Sequence, residues 1–345
     1  MPSVPATVGI AQRKDIPVYL NGLGTVQAYN TVTVNTRVDG QLEQADFKEG
    51  QDVKAGDVLA QIDPRPFQAA LDLAKATKAK DQAQLENAKL DLQRYQKGGP
   101  LANTQQQIDT QAALVKQLEA TVQADQANIE AAQVQLDYTT IKAPLSGRTG
   151  IALVDQGNIV HAASTTGLVV ITQLQPIYVQ FTLPQDQLQE VMQQMGASKT
   201  PLQVIAQGRD DQRQLATGTL AFVDNQIDVS TGSVRLRATF PNESYALWPG
   251  QYVNVRLLLK TLPQVVTVPS TAVQRGPSGM YVYVVKPDST VAMQPITVEQ
   301  MSGGTSVVEK GLASGTRIVV AGQYRLQPGT RIQDVPASED LASKH

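Results

Sequence analysis

The sequence predicts a mainly β protein into which a long antiparallel α-helical coiled-coil hairpin has been let. Three observations carry this: a helix-forming stretch from Pro66 to Leu136, two β-patterned segments flanking it that share one spacing of glycines, and two later runs of short alternating strands over 176–260 and 261–335. The parts expected are a β-sandwich split by the hairpin, a small β-barrel with one short helix, and a β-domain made from both chain ends.

Apart from KGGPLAN at 97–103, the helical stretch holds no proline or glycine after Pro66, and it is rich in Ala, Gln, Leu, Lys, Glu and Asp. Most of these are strong helix formers, so two arms are expected, broken at KGGPLAN. In the second arm Ile108, Val115, Val122, Ile129 and Leu136 recur every seven residues, with Leu118 and Ala132 on a companion row. Such a narrow seam suits a partner helix better than a globular core. The first arm answers with Leu71, Leu85 and Leu92 on one row and Ala74, Ala88 and Tyr95 on the other, interrupted by Lys78 and Asp81. Arms of roughly 30 residues would reach about 45 Å, a slim projection that buries only its seam. Thr104 with Gln107 three residues later reads as a capping box opening the second arm, worth about 1 kcal/mol.

The segments on either side, 32–64 and 137–173, read as strands of three to five residues punctuated by glycines. A shift of 107 positions lays Gly40 on Gly147, Gly50 on Gly157 and Val53 on Val160. A repeat of this kind predicts two half-modules that pair into one sandwich, with the hairpin rising from the join. Further on, PIYVQFTLP, the short helix PQDQLQEVMQQM, and the runs LQVIAQ, GTLAFVDNQ, GSVRLRATF and QYVNVRLLL predict the barrel. The expected divisions are 32–65 plus 137–173 for the sandwich, 66–136 for the hairpin, 174–260 for the barrel, 1–31 plus 261–335 for the terminal domain, and a disordered tail at 336–345.

The chain has 345 residues, 41% of them hydrophobic, enough for more than one core. A net charge of −2 without a basic run gives no footprint for nucleic acid. The absence of cysteine excludes disulfides, thiol catalysis and Cys-ligated zinc. No apolar run approaches the ~20 residues of a spanning helix, and MPSVPATVGI lacks the pattern of a signal peptide. Either the protein is cytoplasmic or a targeting segment precedes the sequence given. The histidines are His161 and His345, neither with a second histidine at ligand spacing, and there is no HExxH, GxSxG or phosphate loop. Asp210 and Asp211 read as a solvated loop, and Asp224 and Asp228 lack the ligand density of a calcium site. No catalytic or metal constellation is expected, and the protein is read as not an enzyme.

Four phrases, in this order, resemble a known family: EGQDVKAGDVLAQIDP at 49–64, LDYTTIKAPLSGRTG at 136–150, TTGLVVITQLQPIYVQFTLP at 165–184, and DNQIDVSTGSVRLRATFPN at 224–242 followed by LWPGQYVNVRLLL. In the last, Asp228, Thr231, Gly232, Arg237, Asn242, Leu247, Pro249 and Gly250 fall on the family's pattern. The sequence is similar over nearly its whole length to the periplasmic adaptor proteins, or membrane fusion proteins (HlyD-like), and most of all to the Mdt-type adaptors of resistance-nodulation-division (RND) multidrug efflux pumps. The resemblance implies a lipoyl-like split sandwich whose turns are Gly40, Gly50, Gly147 and Gly157, a coiled-coil seam of Leu71, Leu85, Leu92, Val115, Leu118, Val122, Ile129 and Leu136, and a membrane-proximal terminal domain. It implies as partners an inner-membrane RND transporter, a TolC-like outer-membrane channel and further copies of the adaptor in a ring of six. The location implied is the periplasm, at the inner membrane of a Gram-negative bacterium. At the hairpin tip, Arg94, Thr104 and Asp109 match the family's channel-contacting positions; Gly98 stands where the family has Leu, in a turn one residue short, and Leu101 is the substitute. No cofactor is expected: a lipoyl or biotinyl lysine would sit at the turn now occupied by the hairpin, and Lys48 and Lys54 lie in other turns. An adaptor of an ABC-type exporter shares this layout, and a lipoyl or biotin carrier module is a more distant alternative.

Overall fold

The computed structural model describes residues 3–335 apart from 103, 163, 199, 209, 211, 212, 278 and 303, and apart from the side chains of 99–102 and 300–302. The tail at 336–345 lies outside the described residues. Two compact units emerge, one of Met1–Leu23, Phe181–Leu236 and Asn254–His345, the other of Gly24–Gln180 and Arg237–Val253. The chain opens with β1 (Val4–Ile10) and β2 (Gln12–Ala28).

The Gly24–Gln180 unit holds β3 (Thr31–Val34), β4 (Gly40–Ala45), β5 (Asp52–Val53), β6 (Val58–Ile62), α1 (Arg65–Ala102), α2 (Gln105–Asp137), β7 (Thr140–Lys142), β8 (Gly147–Ala152), β9 (Ile159–Val160) and β10 (Val169–Thr172). Its strands form two four-stranded sheets, β3-β10-β8-β5 and β7-β6-β4-β9. Exchanging each strand of the first half for its counterpart in the second turns one order into the other, so the 107-residue repeat is a repeat of sheet position. The glycines explain why it is visible. Gly50 and Gly157 both take left-handed φ values, 73° and 93°, which side chains disfavour. A Cβ on Gly40 would meet Ile62 at 2.6 Å, and one on Gly147 would meet the carbonyl of Thr172 at 2.7 Å. Residues from both halves fill one core, among them Leu42, Leu59, Ile62, Ile141, Val169 and Ile171.

Helices α1 and α2 leave this sandwich between β6 and β7, which remain hydrogen-bonded neighbours, with Gln61 opposite Thr140. The expected break at KGGPLAN is a correction: α1 continues through Lys97, Gly98, Gly99 and Pro100 to Ala102. Pro100 has no N–H to return to the carbonyl four residues earlier, so it costs one intrahelical bond, and the helix ends two residues beyond it. At 38 residues α1 is about 57 Å long.

Downstream lie β11 (Ile177–Pro184), α3 (Leu188–Ala197), β12 (Gln203–Gln207), β13 (Gln214–Asp228), β14 (Ser233–Phe240), β15 (Tyr252–Pro269), β16 (Gln274–Gly276), β17 (Gly279–Val285), β18 (Val291–Pro295), β19 (Thr297–Ser302), β20 (Thr305–Lys310), β21 (Arg317–Ala321) and β22 (Ile332–Asp334). One sheet runs β12-β13-β14-β11-β2-β15-β20-β19, and β12 also pairs with β15, which curls that part of the sheet closed. In β14 the residues alternate between core and surface, with Val234, Leu236, Ala238 and Phe240 inside. The other sheet runs β16-β17-β21-β1-β22, with β18 on β17. The first strand of the chain is antiparallel to β21 and parallel to β22, so segments from the two ends of the described chain share a sheet.

Candidate functional site

Apolar side chains meet along the helical pair, with one layer that does not conform. Leu85, Ala88 and Val115 are buried together, and Leu92, Leu118 and Val122 pack against them. Leu71 is buried at the root, while Ile129 and Leu136 are half-buried. Cross-pair bonds fix the antiparallel register: the Lys78 ammonium donates to Gln126 Oε1 at 2.6 Å, Gln111 Nε2 donates to the Ala88 carbonyl at 3.0 Å, and Lys89 lies 2.7 Å from Glu119.

Asp81, read in the sequence as an interruption, is buried, and so is Asp125. Lys80 lies 3.2 Å from Asp81, whereas Oδ2 of Asp125 has no hydrogen-bond partner among the described residues. The seam reading passed over Asp125 because it followed apolar residues. The 3-4 spacing through Leu118, Val122, Ile129 and Ala132 puts Asp125 on an inward position, which is the signal that could have found it. Gln111, half-buried, falls on the same spacing before Val115.

At the far end Arg94 is exposed and its guanidinium donates to Asp91 Oδ1 at 2.9 Å. Thr104 closes the capping box: its hydroxyl accepts from the Gln107 N–H at 3.3 Å, and its own N–H donates to Gln107 Oε1 at 2.9 Å. Asp109, one turn on, accepts from Gln105 Nε2 at 2.9 Å. All three present polar groups to solvent near one another in sequence. Leu101 lies in α1, but its side chain lies outside the described residues.

At the near end Arg65 forms a bidentate pair with Asp63, at 2.8 and 2.7 Å, and its backbone N–H donates to the same carboxylate. These bonds, side chain first and backbone second, hold the Asp63 carboxyl at a pKa of about 2. His161 sits 3.7 Å from Asp39 on an exposed turn.

The phrase at 224–250 proves to be one of turns and packing. Asp228 accepts from the Ser230 N–H at 3.0 Å and from its hydroxyl, and Gly232 takes φ 61° behind it. The Arg237 guanidinium lies 5.0 Å over the ring of Tyr178, which stacks on Tyr29 at 4.5 Å. Asn242, buried at φ 57°, donates to the carbonyls of Leu174 and Leu247 and accepts from the Leu247 N–H. Asn is among the few side chains that visit this conformation readily. Leu247 is fully buried, and Gly250 turns the chain at φ 85° so that its N–H reaches the Val26 carbonyl.

Comparison with known families matches residues 30–172 to the RND MFP barrel-sandwich hybrid domain, 176–261 to the RND MFP beta-barrel domain and 264–325 to the RND MFP C-terminal permuted SH3 domain. The chain is 45% identical over 338 residues to the "Multidrug resistance protein MdtA" of Proteus mirabilis, covering 97% of this chain and 81% of that protein. The chain belongs to the RND membrane fusion proteins. Another similar member, the protein of the same name in Escherichia coli O139:H28, is 43% identical over 347 residues, covering 99% of this chain and 83% of its own length. Among solved structures, MacA from Actinobacillus actinomycetemcomitans matches with a TM-score of 0.60 at 22% identity, over 91% of this chain and 99% of its own. That likeness shows the fold alone: mostly β with few helices, as membrane fusion proteins are built.

Proposed function

We propose that this membrane fusion protein is the periplasmic adaptor of a tripartite multidrug efflux system, linking an inner-membrane RND drug/proton antiporter to a TolC-like outer-membrane channel. The observation that carries the reading is identity of 43–45% across nearly the whole chain with proteins named for multidrug resistance. The division of labour follows the expected parts. Residues 32–65 with 137–173 form a lipoyl-like module, 66–136 a coiled-coil hairpin, 174–260 a barrel, and 1–31 with 261–335 a membrane-proximal domain. The barrel and membrane-proximal domain sit on the pump at the inner membrane's periplasmic face, six copies stand in a ring with their lipoyl-like modules side by side, and the hairpins form a tube. Work is done by contact, and no covalent chemistry is assigned to any residue.

The hairpin supports this role physically, because a pair of helices that buries only its seam leaves the rest of its surface for other molecules. Arg94 offers a planar, charged donor suited to carboxylates and carbonyls, and its exposed pair with Asp91 is cheap to break. With Leu101, Thr104 and Asp109 it forms the channel-facing tip. Replacing Arg94 with Asp is expected to abolish drug efflux in cells while changing unfolding free energy by no more than about 0.5 kcal/mol. Unchanged resistance to exported drugs would sink the tip assignment. Co-purification with an RND transporter rather than an ABC exporter tests the choice of pump.

A further inference from the structure

The seam of the helical pair is apolar in two blocks and charged between them. We propose that the charged layer is an elbow, a built-in point at which the outer part of the hairpin bends relative to its root without either helix breaking. The inference goes beyond the adaptor reading, because it concerns the hairpin itself and holds or fails without pump or channel.

The inner block belongs to the sandwich. Leu71 is buried, and Phe67 and Tyr138, one at each helix root, pack against the sandwich core. Tyr138 is covered in turn by Arg37, whose guanidinium lies 4.9 Å over its ring. The outer block is a separate core of Leu85, Ala88 and Val115, with Leu92, Leu118 and Val122 around them. Moving rootward along both helices from Ala88 and Val115, in the 3-4 spacing of the seam, sets Asp81 opposite Val122 and Lys78 opposite Asp125. These positions lie about 20–24 Å from the start of α1.

The charges between the blocks are poorly matched. Lys78 shares a layer with Asp125, yet its ammonium goes to Gln126 Oε1 at 2.6 Å, and Gln126 donates in turn to Glu130 at 3.0 Å. Asp125, only 7% exposed, keeps an Oδ2 that accepts from none of the described residues. Asp81 has Lys80 at 3.2 Å, but that lysine is largely in solvent, where an ion pair contributes little. A carboxylate oxygen held in a seam without a donor favours any opening that lets water reach it. The apolar blocks on either side gain nothing by opening.

The backbone is softened at the same level on both helices. Thr77 Oγ1 donates to the Leu73 carbonyl at 3.0 Å, and Thr121 Oγ1 to the Gln117 carbonyl at 3.1 Å. A hydroxyl bonded back one turn competes for a carbonyl of the helix ladder and bends the helix. Thr77 adjoins Lys78 and Thr121 adjoins Val122, so both bonds sit against the charged layer. A further bond of this type, Thr110 to the Gln106 carbonyl at 2.8 Å, has no counterpart on α1 among the described residues. Neither helix has glycine or proline near the layer, and both run through it unbroken, so the motion is a bend rather than a separation. A bend of about 15° at this level carries the far end, about 30 Å further on, sideways by about 8 Å.

Amide hydrogen exchange of the full-length chain, read by mass spectrometry, tests the elbow. Amides of 76–82 and 120–126 are expected to exchange about tenfold faster than those of 85–92 and 111–118 beyond them, and than those of 68–73 and 130–135 nearer the root. A profile that loosens steadily from root to far end would be fraying and would overturn the proposal. Lys78→Leu with Asp125→Leu should bring the layer within about threefold of its flanks. Thr77→Ala with Thr121→Ala, which leaves the apolar seam untouched, should recover part of the same difference. Bending itself is read by pulsed EPR. The chain has no cysteine, so nitroxides at Ile159→Cys on the sandwich and Lys97→Cys near the far end of α1, both exposed positions, are its only labels. Their distance distribution should narrow by about a third when Lys78 and Asp125 are replaced with Leu. An unchanged width, or exchange in the layer no faster than in its flanks, would show that the hairpin has no elbow there.

Discussion

The split sandwich gathers thirteen buried hydrophobic side chains, from Val34 to Ile171, into one cluster. The helical pair, far longer, gathers Leu85, Ala88 and Val115, and places the carboxylates of Asp81 and Asp125 in the same seam. Those two are the buried carboxylates among the described residues. In the sandwich every strand is short and gains its order from the core; in the pair each helix is held largely by its own backbone and by residues that favour helix. The difference teaches where stability and reach are separately lodged.

The comparison can be broken or sharpened by experiment. The largest effect is expected at Leu59, fully buried between the two halves: Leu59→Ala should cost about 2–5 kcal/mol in denaturant unfolding, and a loss under 1 kcal/mol would mean that the core is not what holds the halves together. In the seam the sign should reverse. Asp125→Leu removes a buried carboxylate with an unpartnered oxygen and should stabilise the helical signal by about 1–2 kcal/mol; destabilisation would show that the carboxylate has a favourable role in the layer. Smaller still should be the effect on the sandwich of deleting 67–135 and closing the gap with a short turn. Cooperative melting is expected to persist, because Ile62 and Thr139 already meet through a 2.8 Å backbone hydrogen bond across that gap, and an insoluble or non-cooperative product would contradict the independence of the two regions.

The smallest effect is at the root, where the Arg65 bonds lower the Asp63 carboxyl from its ordinary 3.8 to about 2. A carboxyl depressed in the folded state stabilises fully above its ordinary value and loses that contribution as pH falls through about 2. An NMR titration of Asp63 should therefore move upward in Arg65→Gln, and an unmoved midpoint would exclude the pair as the cause.

Much of this was legible in the sequence where a single rule acts alone. The seam of Leu85, Val115 and Val122 shows in heptads because a thin pair of helices has no other way to bury side chains. The half-module repeat shows at Gly50 and Gly157 because left-handed turns demand glycine. Where two effects compete, the sequence misleads. KGGP reads as a stop, yet α1 passes through it and ends two residues beyond Pro100. Asp125 goes unread when the seam is followed through apolar residues alone, yet its place on the 3-4 spacing buries it. Residues such as Asn242 and Leu247 were visible through family resemblance, their purpose resting on a left-handed turn and three hydrogen bonds that no periodicity encodes.

The joint between β6 and β7 has one more consequence. Because the strands meet there regardless of what rises from them, seven residues added to or taken from each helix would lengthen or shorten the projection by about 10 Å without re-registering a single strand. Span becomes a quantity that insertions and deletions can tune in whole heptads, and a protein of this design can be refitted to a wider or narrower gap while its folded base stays as it was.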